Sequence, residues 1–184
     1  MEKRGCLYVG CDDSNHAGDS KGEIIVAVFS FDREDSIVSD FSKDRDEERL
    51  NDWLISSGKD FRFSLLTAEV YRHSGQNLVP IVPILVDDYL SKTPFHVSNL
   101  NIYLDGMLKS DARDSLREYF SGRHGIENVV VDNFTKKTKR LKNRTEKALH
   151  CPPLVYYADV LANFLYRKKT FEELSTHEKL VSIR

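Results

Sequence analysis

The sequence predicts an α/β domain with a mixed sheet, on three observations. Glu23–Phe31 (EIIVAVFSF) is a continuous β-branched and aromatic run, the pattern of a buried strand. A second apolar run, Cys6–Cys11 (CLYVGC), precedes it across a short Gly18–Gly22 turn, so the chain opens with an antiparallel pair. From Asn99 onward strand-like and helix-like segments alternate, which predicts parallel strands joined by crossover helices.

The elements follow in order. Cys6–Cys11 ends at the acidic pair Asp12-Asp13, and Ser36–Phe41 is short enough to fold back on the second strand as a hairpin. Asp44–Ser57 spaces Leu50, Trp53 and Leu54 among charges at helical intervals, with Gly58 as a stop. Phe61–Thr67 alternates as a strand and competes with Ser36–Phe41 for third place in the sheet. Gln76–Lys92 is an apolar helix whose first turns are disturbed by Pro80 and Pro83. Asn99–Leu104 is a strand closed by Asp105-Gly106. Asp111–Phe120 is an amphipathic helix with Ser110 as its N-cap and Gly122 near its end. Glu127–Val131 is a strand ending at Asp132, and Pro152-Pro153 opens a helix reaching about Lys168. Phe171–Arg184 reads as a C-terminal helical extension of a single domain spanning 1–184.

Composition narrows the function classes. Among 184 residues, 40% are hydrophobic and 10% aromatic, too many for a disordered chain. Cys6, Cys11 and Cys151 form no CxxC pair, which excludes a disulfide framework and a cysteine-rich zinc site and fits a reducing cytoplasm. The longest apolar run, Leu78–Val86, is too short to cross a bilayer, and Glu2, Lys3 and Arg4 do not suit a signal peptide. The expectation is a soluble cytoplasmic protein without a membrane partner. A homo-oligomer is compatible with the sequence.

Net charge is −2, but its distribution is uneven. Between Asp32 and Asp60 ten acids face five bases; between Arg123 and Lys147 eight bases face three acids. The run Lys136–Lys147 (KKTKRLKNRTEK) holds Lys136, Lys137, Lys139, Arg140, Lys142, Arg144 and Lys147. Such a run tracks a phosphate backbone without reading sequence, or else forms a solvated loop. No aromatic residue is interleaved in it, so it gives no sign of base stacking. The segment GDSKG lacks a Walker loop's length and its Gly-Lys-Ser/Thr, and the histidines share no metal-ligand spacing.

Three predicted strands end in an aspartate: Asp12, Asp105 and Asp132. A fourth, Asp159, lies among Leu154, Val155, Tyr156, Tyr157, Val160, Leu161, Phe164 and Leu165, where an acid needs a partner. Aspartates suit turns, so a structural role at each strand end competes with a chemical one. In open α/β sheets, sites form beyond the carboxyl ends of parallel strands. Acids converging there are hard oxygen ligands for Mg²⁺ or Mn²⁺, and two such ions activate water against a phosphodiester.

Taken together, YVGCDDSNHAG, NIYLDG, VVVDNF and PPLVYYADVLANFLYR resemble the ribonuclease H-like (retroviral integrase) superfamily. The likeness is nearest to a group with an Asp-Glu-Ser-Gly-type motif after its first strand and a Gln-x-Ala-Asp-type motif in its last helix. Here these stand as Asp12-Asp13-Ser14-Asn15 and as Tyr157-Ala158-Asp159, with Asp13 in place of Glu and no Gln. The resemblance implies a five-stranded mixed sheet, three antiparallel strands then two parallel, flanked by helices. It implies Asp12, Asp105 and Asp159 as catalytic metal ligands, with Asp132 as a fourth ligand and Asp13 in a lesser role. A further acid from the first helix is part of that pattern, and Glu69, Asp87 and Asp88 are its candidates. The implied activity is a divalent-metal-dependent nuclease or other phosphodiester-processing enzyme acting on nucleic acid, with two ions in one site. The alternatives are a catalytically degenerate binding or assembly module on the same fold, and a metal-dependent enzyme acting on a small phosphorylated substrate.

Overall fold

The computed structural model describes residues 4–14, 22–33, 50, 52, 56–66, 78–106, 108–134 and 152–183. Strand β1 (Arg4–Asp13) pairs antiparallel with β2 (Glu23–Ser30), which pairs antiparallel with β3 (Lys59–Leu66). Helix α1 (Leu78–Lys92) leads to β4 (His96–Asp105), and α2 (Ser110–His124) leads to β5 (Asn128–Phe134). β4 lies parallel to β1, and β5 parallel to β4, giving the order β3-β2-β1-β4-β5. Helix α3 (Pro153–Lys168) and the short α4 (Phe171–Ser175) close the chain. The mixed sheet predicted from the sequence is the one observed.

The sheet carries helices on both faces because its inner strands are apolar on both faces. All eight residues of β2 are buried. On one face Leu7, Val9, Cys11, Ile25, Ala27, Phe29, Leu100, Ile102, Leu104 and Val131 pack against α1 and α2. On the other, Ile24, Val26, Val28, Phe61 and Phe63 pack against Leu154, Tyr157, Ala158, Leu161, Ala162 and Leu165 of α3. Side chains alternate along a strand, so Tyr8, Gly10 and Asp12 share the α3 face while Asp13 points to the opposite one.

Several boundaries differ from the sequence reading. β1 runs two residues further at each end, so Asp12 is within the strand. β5 continues to Phe134, which moves Asp132 from a strand end into the strand. Helix α2 starts at Ser110 behind Lys109, with no side-chain cap, and stops at Gly125, whose φ of +62° is the left-handed conformation glycine accepts freely; Gly122 stays helical. The third strand is Lys59–Leu66; Ser36–Phe41 lies outside the described residues, as does most of the helix predicted over 44–57.

The predicted C-terminal helix is confined to Phe171–Ser175, held by a reciprocal cap between Thr170 and Glu173. Beyond it the chain turns at 176 and 178–179 and then forms an isolated parallel bridge from Leu180 to Phe63 on β3: Phe63 N–H donates to Lys179 O (3.1 Å), Val181 N–H to Phe63 O (2.8 Å) and Ser64 Oγ to Val181 O (2.8 Å). The segment satisfies an edge that would otherwise offer open backbone groups.

Candidate functional site

The site is built from the parallel pairing of β1 and β4. Their register pairs Gly10 with Tyr103 and Cys11 with Leu104, and one further step sets Asp12 beside Asp105. β1 leaves toward β2 on one side while the chain returns through β4 on the other, so this junction is the sheet's topological switch point. Crevices at such points, beyond the carboxyl ends of the strands, are where open α/β sheets place ligands. Asp12 is 4% exposed, and its Oδ1 accepts the Asp13 N–H at 2.8 Å. Asp105 is half-buried at the last residue of β4; its neighbour Gly106, at φ +108°, turns the chain away, and the Gly106 carbonyl accepts from Asn133 Nδ2 (3.1 Å).

The end of the β1–β2 pair is clamped from the same motif. Ser14 N–H donates to Ile24 O (2.9 Å) while Ser14 Oγ accepts the Ile24 N–H (3.0 Å). Ser14 therefore has a backbone partner and closes the ladder directly after Asp12-Asp13. Asp13 is half-buried and, by the strand's alternation, lies across the sheet from Asp12.

Asp132 is exposed on β5 and pairs with Tyr103, so it shares the face of Asp12 and Asp105 but sits two residues short of their row. Asp159 departs from the sequence expectation of a buried acid. It is half-buried on a flank of α3, and its Oδ1 accepts Asn163 Nδ2 at 2.8 Å, one helical turn away. Among the described residues, no three His, Cys, Asp or Glu side chains meet in a group able to hold a metal ion. The structure thus brings Asp12 and Asp105 into one row, with Asp132 further along the same face and Asp159 on the overlying helix.

The first-helix candidates have other partners. Asp87 accepts Tyr119 OH (2.6 Å), meets His124 Nε2 (2.7 Å) and pairs with Arg123 Nε (3.0 Å), which ties α1 to α2. Asp88 accepts Arg62 Nε (3.0 Å) and Lys92 Nζ (2.8 Å). Both lie on α1, across the sheet from α3. Glu69, Asn15, His16, Cys151 and the basic run Lys136, Lys137, Lys139, Arg140, Lys142 and Arg144 lie outside the described residues. Lys109 is exposed.

Around the aspartates lie residues that the sequence reading passed over. Tyr8 pairs with Asn101, and Tyr103 with Gly10 and Asp132. Asn101 Nδ2 donates to Cys6 Sγ (3.0 Å), and a hydrogen bond with Cys6, added to burial, raises the Tyr8 phenol above its ordinary value. Burial also raises Tyr103, with Asp132's charge adding and Arg33's charge opposing. Burial pushes the Cys11 thiol up, so it stays an inert core group. The signal for Tyr8 and Tyr103 was in the sequence: each is an even number of residues before an aspartate on its own strand, hence on that aspartate's face.

No protein-family model matches the chain, and no curated protein matches it. Among solved structures it is similar to ribonuclease HII in the PCNA complex from Archaeoglobus fulgidus, with TM-score 0.53 and 15% identity over 91% of this chain and 75% of that one. It is also similar to Bst ribonuclease HIII in complex with Mn²⁺, with TM-score 0.49 and 18% identity over 97% of this chain and 57% of that one. A variant of that Bst enzyme gives TM-score 0.47 and 17% identity at the same coverage. This chain therefore spans little more than half the length of the ribonucleases HIII. The strand order, the mixed pairing and the ribonuclease HII likeness define a ribonuclease H-like fold.

Proposed function

We propose that the chain is a divalent-metal-dependent nuclease, or a closely allied phosphodiester-processing enzyme, acting on nucleic acid. One observation carries the reading: the β1–β4 register sets Asp12 and Asp105 side by side at the switch point. Two neighbouring carboxylates are a fitting donor set for Mg²⁺ or Mn²⁺, which commonly take one or two protein carboxylates and leave other positions to water and substrate phosphates. Bound there, such an ion lowers the pKa of water and neutralises charge on the scissile phosphate.

The chain's own residues define what surrounds that chemistry. Asp12, 4% exposed and pinned through Oδ1 by a backbone N–H, is held in a fixed orientation by the strand. Asp105, half-buried at the end of β4, is the more accessible of the two. Asp159 on α3 and Asp132 on β5 would serve as the third and fourth ligands, in a site that would take two ions. Asp13, on the opposite face, supports Asp12 through the backbone rather than as a ligand. The basic run Lys136–Arg144 supplies sequence-independent affinity for the phosphate backbone. Fold likeness makes nucleic acid the proposed partner, and the sparse cysteines without a CxxC pair make the cytoplasm the proposed compartment.

A second reading has its own observation. The Asp159 carboxylate is already engaged by Asn163, which suits a catalytically degenerate binding or assembly module. Cleavage assays decide between them. Labelled single strands, duplexes and RNA–DNA hybrids are incubated with the full chain in Mn²⁺ or Mg²⁺, beside Asp12→Asn and Asp105→Asn. The enzyme reading expects metal-dependent cleavage that both variants lose while keeping the wild-type circular dichroism. Absence of cleavage of every polymer in either metal would leave the binding module.

A further inference from the structure

The α3 face of the sheet is not evenly covered. Helix α3 begins over Gly10 and lies mainly over β1 and β2, with a smaller contact to β4. On the β4–β5 half of that face Val130 is 40% exposed, Asp132 and Asn128 are exposed, and Asn99, Asn101 and Tyr103 are half-buried. The half-buried Cys6 and Tyr8 of β1 adjoin it.

The side chains there combine aromatic rings with side-chain amides. Tyr8 and Tyr103 stand on adjacent parallel strands, on one face and staggered by two residues. Asn101 lies opposite Tyr8 and offers an amide, as does the Asn99–Asn128 pair, whose side chains join at 2.8 Å. Arg33, exposed three residues beyond the Ser30 that pairs with Tyr8, supplies a cation on the β2 side, and its charge works to lower both phenols. Aromatic rings that stack bases beside a cation that meets phosphate are the elements of single-strand binding.

We infer that Tyr8 and Tyr103, with Asn101 and Arg33, form a shelf that seats an unpaired stretch of nucleic acid and leads its backbone to Asp12 and Asp105. The inference rests on the nuclease reading and adds the form of its substrate: single-stranded, or unpaired at the point of engagement.

The test is an anisotropy titration of the full chain with a fluorescein-labelled oligothymidylate of about 12 nucleotides, in EDTA, repeated with the same strand in a duplex. The shelf expects the wild type to prefer the single strand. Tyr103→Ala weakens that binding about tenfold, and Tyr103→Phe, which keeps the ring, stays within about twofold. Arg33→Gln lowers both the affinity and the salt dependence, the latter by about one phosphate contact. Tyr103 is half-buried and outside the packed core, and a circular dichroism melt of each variant checks the fold. Wild-type binding by a folded Tyr103→Ala, equal binding of duplex and single strand, or no strand binding at all overturns the inference. Chelation keeps the two claims apart. If Tyr103→Ala loses strand binding while no polymer is ever cleaved, the shelf stands and the nuclease reading falls. If cleavage depends on Asp12 yet Tyr103→Ala binds normally, the shelf falls and the metal site stands.

Discussion

Leu154 occupies the space a side chain on Gly10 would need. A Cβ built at Gly10 meets the Leu154 carbonyl carbon and the Val155 nitrogen, and comes to 2.5 Å from the Leu154 Cβ. The obstacle is backbone, which does not yield by changing rotamer. The first turn of α3 therefore rests directly on β1, two residues before Asp12 on the same face. Gly10→Ala is expected to push α3 off the strand at a cost of about 3 kcal/mol, the upper range for overpacking. Urea unfolding measures it, and an unchanged midpoint would show that the contact is not close in solution.

Arg62 is the centre of an ionic network on the other face. It is 8% exposed, and its Nη1 donates to Asp60 Oδ2 (2.7 Å) and to the Phe61 carbonyl (2.6 Å) while Nε donates to Asp88 (3.0 Å). Lys92 and Lys179 pair with the same carboxylates. Arg62→Ala is expected to cost ~3 kcal/mol, because it leaves a void and two acids short of a partner; Arg62→Met, which fills the volume, recovers part of that loss. Equal losses in the two variants would assign the effect to charge and none to packing.

The same network sets the acid limb of stability. Burial pushes the Asp60 carboxyl up, but hydrogen bonds from Lys179 and Arg62 outweigh it and hold the group below its ordinary value. A depressed carboxylate stabilises the fold above its unfolded pKa, and that contribution disappears as pH falls through the folded value. Lys179→Met is expected to raise the Asp60 pKa and move the acid loss to higher pH. Chemical denaturation between about pH 2 and pH 5 reports it, and superimposable profiles would contradict it.

Tyr89 governs the alkaline limb. Its ring stacks on Phe29 at 4.1 Å with 3° between planes, and burial pushes its phenol up to about 12, with Asp60's charge adding and Arg62's opposing. The fold thus favours the neutral phenol. That stability is complete below the ordinary value of 10.0 and is lost as pH climbs toward about 12. Tyr89→Phe retains the stack and cannot ionise, so its stability is expected to stay flatter over that interval. Identical alkaline profiles in the two proteins would rule Tyr89 out as the titrating group.

Most of the sheet was legible because its strands carry their own signals: EIIVAVFSF has no helical reading, and the Asp-Gly after NIYL marks a strand end. Its strand order came through the family resemblance, since no local pattern says that Asn99–Leu104 lies beside Cys6–Cys11. What failed was judged from single residues whose partners are distant. Asp159 looked buried because its neighbours are apolar, yet a helix buries one side, and Asp159 falls on the flank beside Asn163. Phe171–Arg184 has helical composition, but the outer edge of β3 takes a bridge from Leu180, with backbone bonds to Lys179 and Val181, that no local pattern encodes. Asp132 seemed terminal because the valine run stops there, whereas β5 continues to Phe134. The placement of Tyr8 and Tyr103 on one face was missed because only the register of strands far apart in sequence sets them on neighbouring strands.

The most direct test of the central claim, that Asp12 and Asp105 serve one divalent-metal site, is Mn²⁺ binding to the full chain by calorimetry. It compares the wild type with Asp12→Asn, Asp105→Asn and the double variant. The account expects each single variant to lose most of the affinity, and the double variant to lose little more, because residues sharing one ligand are not additive. Full Mn²⁺ affinity in Asp105→Asn, or no Mn²⁺ binding by the wild type even with nucleic acid present, would contradict it.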